Sequence, residues 1–275
     1  YEYADHERFI DRGIPTENGE PVERFEKITF GGDDNLTTLK ANILRATLSK
    51  VFSDTRKGNL SIVSSDFEKM YKNYYASGYT AGATVVTMDG YLDPTERENT
   101  IISGNIVNEV GNHTLLVGVE LIDTTNENFR YNTFWSTTSD DNEVFNITRP
   151  MDFSVNSAGV ATSNDYTADL KSKTKSDIDV TSFFIQDQID VSDKLKLMIG
   201  GRHDSFDITV TDVKAGSAAA RKDTKFSPRA GVIFKPQDNI SWYYSYSESF
   251  LPRSGEQYKK LTASAAALDP DVYES

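Results

Sequence analysis

Three histidines, His6, His113 and His203, stand far apart in a chain of 275 residues that contains no cysteine. Zinc-type sites use His and Cys ligands at short, fixed spacings, and no such pair occurs. The residue types therefore predict neither a metal centre nor a catalytic constellation. What the chain does carry is rings: 14 Tyr, 15 Phe and 2 Trp, enough to argue against disorder. They are densest in NISWYYSYSESF, Asn239 to Phe250. Ile240, Trp242, Tyr244, Tyr246 and Phe250 hold even positions there, and Ser241, Tyr243, Ser245, Ser247 and Ser249 hold odd ones. A period of two predicts a strand with one apolar and one polar face. The chemistry on offer is non-covalent, and the apolar face needs a partner.

Only 37% of the residues are hydrophobic, and the formal net charge is −13. That charge speaks against a nucleic-acid partner, whose phosphates call for clustered Lys and Arg. No run approaches the roughly 18 apolar residues of a membrane helix. Barrel strands need only about 10 alternating residues each, so a membrane is compatible with so polar a chain.

Alternation recurs along the sequence. TSFFIQDQIDV places Phe183, Ile185, Ile189 and Val191 against Ser182, Gln186 and Gln188, and a turn at Ser192-Asp193 follows. KLKLMIGGRHD, FSPRAGVIF and the aromatic stretch continue the pattern, with Leu195, Leu197, Val232, Phe234, Trp242 and Tyr244 predicted on the face of Phe183. Gln186, Arg202, Arg229 and Ser245 are predicted on the opposite face. Upstream, HTLLVGVELID opposes Leu115, Val117, Val119 and Leu121 to Gly118 and Glu120 after a turn at Gly111-Asn112. In TTLKANILRATLSKVF the apolar parity switches between Ile43 and Leu44, which suggests a β-bulge; a helix is the rival reading. Short connections at 53–59, 110–113, 191–194 and 236–239 alternate with long ones near 75–97, 124–177 and 211–225. A meander with every second loop long is the plan of an outer-membrane barrel rather than a soluble sandwich. The predicted class is all-β, an antiparallel up-and-down transmembrane β-barrel present as a partial barrel.

Several blocks carry a family resemblance. KFSPRAGVIFKPQDNISWYYSYSESFLPRSGEQY (Lys225 to Tyr258), TSFFIQDQIDVSDKLKLMIGGRHD (Thr181 to Asp204), HTLLVGVE (His113 to Glu120), DRGIP (Asp11 to Pro15) and ALDPDVYES resemble blocks of the TonB-dependent siderophore receptors of the Gram-negative outer membrane. Ferrichrome- and catecholate-type receptors are the nearest subgroup. The resemblance implies about eight or nine strands of an expected 22, all within the barrel domain. It places the plug, the TonB-contacting segment, the first strands and the C-terminal strand outside residues 1–275.

The resemblance further implies uptake of a ferric siderophore by the parent protein, energised by TonB with ExbB and ExbD acting through the plug. Iron would arrive inside its chelator, so no cofactor and no protein metal ligand is implied. Another ligand (haem, cobalamin, a glycan) or a passive porin-like barrel are the alternatives. Chelate binding favours aromatic surfaces and, for anionic catecholates, cations. The candidates above the strand ends are Tyr71, Tyr74, Tyr75, Tyr79, Arg130, Tyr131, Phe134, Trp135, Arg253 and Tyr258. Packing within loops or at the membrane interface is the competing role for each. The long 131–176 connection is expected to carry part of the ligand site. Glu120, Arg202, Asp204 and Arg229 are expected to line the barrel wall in a hydrogen-bonded network.

Overall fold

The computed structural model describes residues 1–33, 35–237, 239–252, 261 and 267–275. Arg253 and Tyr258 lie outside the described residues. The fold is one antiparallel sheet. Its wall is built from β1 (Glu2–Phe9), β4 (Leu36–Ser53), β5 (Arg56–Gly78), β7 (Thr95–Val110), β8 (His113–Asn132), β10 (Asp169–Ser192), β11 (Leu195–Asp212), β12 (Ser217–Gln237), β13 (Ile240–Leu251) and β14 (Asp271–Glu274). A small hairpin of β2 (Thr16–Glu17) and β3 (Glu20–Pro21) stands apart. β6 (Val85–Leu92) and β9 (Glu143–Asn146) extend the sheet beyond the far end of β5. β1 ends the sheet on one side and β14 on the other, and among the described residues the two do not pair.

Residues directly opposite in adjacent antiparallel strands share a face, so register assigns every side chain in the wall. The row Phe234–Trp242 continues to Leu195, and Val232–Tyr244 to Leu197. Ile189 faces Leu197, which fixes Phe183 and Ile185 on the same side. The opposite side holds Gln186 and Arg229, both opposite Gly200, together with Arg202 and Ser245. The faces predicted from alternation are those observed. The first face then runs through Val119 and Val117 in β8, Gly104 and Ile106 in β7, Leu60 in β5 and Leu48 in β4. On it Leu48, Phe183, Trp242 and Tyr244 are 68%, 59%, 63% and 71% exposed. A continuous apolar band of that kind is unstable in water and calls for lipid.

Three expectations need correction. The register of β4 with β5 is regular from Leu36 to Val51, and its irregularity falls between Val51 and Ser53. No bulge therefore separates Ile43 from Leu44. The apolar residues change faces instead: Leu44, Ala46 and Leu48 belong to the apolar band, whereas Ala41 is buried on the other side. The 211–225 segment is not a long loop, since β11 reaches Asp212 and β12 starts at Ser217. The 75–97 and 124–177 segments are also more ordered than expected, with β5 reaching Gly78, β6 inserted, and β8 and β10 reaching Asn132 and Asp169. The cause is common to all three. The 24 residues of β10 span about 80 Å at ~3.3 Å per residue, far beyond a hydrocarbon core of about 30 Å. Past the band the surroundings of each face change, with packed clusters around Tyr74 and around Ile208, so strands continue without the band's alternation. The short turns fall where expected, although the first is only residues 54–55 because β5 already starts at Arg56, and Gly111, at φ 62°, takes the left-handed conformation its turn requires.

Candidate ligand site on the polar face

Beyond the apolar band, β5, β6 and β8 bring a group of rings and cations together on the polar face. Tyr75 lies opposite Asp89, and Asn73 opposite Tyr91, which in turn faces Asn132. This register aligns Tyr71, Tyr75, Tyr91 and Arg130 on one side of the sheet. Tyr71 stacks on Tyr91 with centroids 5.7 Å apart, and Tyr75 meets Tyr91 edge-on at 6.3 Å. The Arg130 guanidinium lies 3.5 Å from the Tyr91 ring centroid and faces Asp93 at 3.6 Å. Arg12, from the loop after β1, covers the Tyr75 ring at 4.7 Å and donates to the Tyr91 hydroxyl at 2.7 Å. Tyr75 donates to Asp89 at 2.8 Å.

These contacts preorganise three half-buried rings under two guanidinium groups. Such a surface can stack flat conjugated groups and attract anionic oxygens, the chemistry of an aromatic or acidic chelate. Three of the ten sequence candidates, Tyr71, Tyr75 and Arg130, belong to it. Tyr91 and Arg12 were missed. They come from segments without alternation, and only the fold brings them to Tyr75; the DRGIP block that contains Arg12 was the single signal available.

The five remaining candidates among the described residues are used in packing. Tyr74 and Trp135 are buried on the opposite side, where Tyr74 stacks on Tyr166 at 5.6 Å and Trp135 meets Phe145 edge-on at 4.9 Å. Tyr131 packs against that core, and Phe134 is tied by its backbone N–H to Asn164 at 2.6 Å. Tyr79 meets Phe25 edge-on and accepts a hydrogen bond from Arg24. The 131–176 connection thus places Tyr131, Trp135, Phe145, Phe153 and Tyr166 in a core shared with Phe25, Phe30, Tyr74, Val86 and Met88. Within it, Asp152 and Asp165 accept hydrogen bonds from Ser154 and Thr167, which hold both carboxyls below their usual range.

Lower on the polar face, Glu120, Ser182 and Asp204 stand in one row and Arg202 beside them. Arg202 donates to Glu120 at 2.6 Å, to Asp204 at 2.6 Å and to Ser182 at 2.7 Å, and Ser182 donates to Asp204 at 2.5 Å. Arg229 lines a 330 Å³ cavity with Arg202 and Asp204 without joining that network. Among the described residues no group of His, Asp and Glu could hold a metal ion.

A one-sided apolar band on long antiparallel strands, backed by a polar and charged face, defines the wall of an outer-membrane-type β-barrel. Residues 3–271 match the model of the TonB dependent receptor-like β-barrel, and the chain belongs to that family, one of receptors and transporters rather than enzymes. The chain is 31% identical over 162 residues to the ferrichrome outer membrane transporter/phage receptor of Escherichia coli K12, covering 58% of this chain and 20% of that one. It is 30% identical over 103 residues to the probable TonB-dependent siderophore receptor PiuA of Acinetobacter baumannii, covering 34% of this chain and 14% of the relative. In fold it resembles the crystal structure of that PiuA, with a TM-score of 0.71 at 17% identity, over 99% of this chain and 43% of the other. The ferric-catecholate import receptor Fiu of E. coli K12 gives 0.72 at 14% identity, over 99% and 44%. The chain thus spans less than half of the solved receptors it overlays.

Proposed function

We propose that this chain forms part of an outer-membrane receptor of a Gram-negative bacterium that takes up ferric siderophore complexes. The family supplies the class of activity. The observation that points to the ligand is the group of Tyr71, Tyr75 and Tyr91 under Arg12 and Arg130. Its rings would stack on the chelating groups and its guanidiniums would balance their charge, with iron held by the chelator alone. The apolar face would meet outer-membrane lipid, and the Arg202 network would stiffen the wall. A plug contributed by the parent protein would close the pore, and TonB with ExbB and ExbD would pull on it. Growth tests this reading. A strain lacking the parent gene should fail on one or more defined ferric siderophores as sole iron source and recover on complementation. Equal growth on every chelate, or uptake that survives loss of TonB, would contradict it.

A further inference from the structure

A groove of 490 Å³ crosses the apolar face. Its floor is Gly104, whose missing side chain leaves open space, and Gly58, over which the Phe52 ring packs. Leu48 and Phe52 wall it at the β4 side, and Val117 and Phe183 at the β8–β10 side. That volume falls within the roughly 300–1,000 Å³ of small-molecule sites. The groove runs obliquely to the strand ends. Its β4 end lies near the short turn after Ser53, whereas Phe183 stands far from the Ser192 turn at the other. It therefore rises from the turn-side edge of the apolar band towards the middle.

The low end carries charge. Lys50 lies opposite Gly58 on this face, with Nζ 5.5 Å from the Phe52 ring. Arg56 follows on the same face and donates to Asn108 at 2.9 Å. Neither cation makes an ion pair among the described residues. An apolar channel that begins at two uncompensated cations, at the depth where headgroups end, matches one class of molecule. We infer that the groove holds one acyl chain of an anionic glycerophospholipid of the turn-side leaflet, with its phosphate at Lys50 and Arg56. No annular contact of the uniform band requires this. The glycine floor and the two cations make it a site.

The inference rests on the membrane reading above and is separable from it. The full-length receptor would be equilibrated in mild detergent with equal phosphatidylglycerol and phosphatidylcholine of identical acyl composition, and retained lipid counted by native mass spectrometry. The wild type should retain phosphatidylglycerol about 25-fold over phosphatidylcholine, since each of the two cations near the headgroup contributes a factor of about five. Lys50→Gln should lower that preference about fivefold, and K50Q with R56Q should abolish it. Gly104→Leu should lose retention of both lipids. A Cβ at Gly104 meets only ordinary contacts, with Leu60 at 3.8 Å and Val119 at 4.0 Å, so the larger side chain enters the channel instead of breaking the sheet. Equal retention of the two lipids by the wild type, undiminished retention in G104L, or retention of lipopolysaccharide in their place would overturn the assignment. Should G104L fail to insert, the exposed K50Q decides alone. Chelate binding stays intact in every variant if only the lipid site fails.

Discussion

Replacing Arg202 by Met keeps the stem and removes the donors, leaving Asp204, Glu120 and Ser182 without their shared partner. The three losses are unequal. Asp204 is buried, at 7% exposure, and a carboxylate left there without its cation costs about 3–5 kcal/mol in a fully buried pair. The side chains of Arg202 and Glu120 are 31% and 28% exposed, so water recovers part of the energy. Ser182 continues to donate to Asp204 and lowers the cost further. Arg202→Met should therefore destabilise the full-length receptor by about 2–3 kcal/mol. Asp204→Asn should cost about 1.5–2 kcal/mol, and Glu120→Gln about 1 kcal/mol or less. Urea unfolding followed by β-sheet circular dichroism, at constant m-value, measures all three. A cost for Arg202→Met below about 0.5 kcal/mol, or a larger cost for Glu120→Gln than for Asp204→Asn, would refute the reasoning.

Three other outcomes are expected. Trp135→Ala should destabilise the core around Tyr74 and Phe145 by about 3–5 kcal/mol, read as new protease cleavage between 133 and 168 with the barrel still inserted. Gly90→Ala should uncouple β6 from β5, because a Cβ there would stand 2.3 Å from the Asn73 carbonyl oxygen; faster amide exchange over 85–92 checks it. Asp141 is held above the usual carboxylate range, first by burial and then by the charges of Asp89 and Asp140. A carboxyl raised in the folded state opposes folding once it ionises, so Asp141→Asn should stabilise this loop at neutral pH, and the gain should vanish as pH falls below the carboxylate range. A pH-independent effect on loop melting would exclude that cause.

The wall was legible because a one-sided apolar band imposes alternation. Phe183, Leu197, Val232 and Trp242 announced their face by parity alone, and the short turns by Gly111 and Ser192. Legibility stopped where the band stops. Leu39, Ala41 and Ile43 imitated a bulge because their environment changes above the band while the chain's register does not. The Ala- and Lys-rich stretch after Asp212 read as loop, yet pairing alone carries it as strand through β12. The network of Glu120, Arg202 and Asp204 was visible as polar residues at lining parity. The group of rings and guanidiniums was visible only in part. Tyr74 and Tyr75 are neighbours in sequence and point to opposite sides, one into a packed core and one towards Arg12. No local pattern separates them, and none joins Arg12 to Tyr91 across the four strands between them.

The most direct test of the account is a titration of the purified full-length receptor with ferric siderophores, followed by quenching of intrinsic fluorescence. The wild type should bind at least one hydroxamate or catecholate chelate tightly. The variant carrying Tyr91→Leu and Arg130→Ala should bind it about 30-fold or more weakly, since it loses a stacking ring and a cation worth about 2 kcal/mol or more together. Tyr74→Phe, a change confined to the loop core, should leave affinity unchanged. An affinity equal to wild type in the double variant, or no binding of any ferric siderophore by the wild type, would contradict the account.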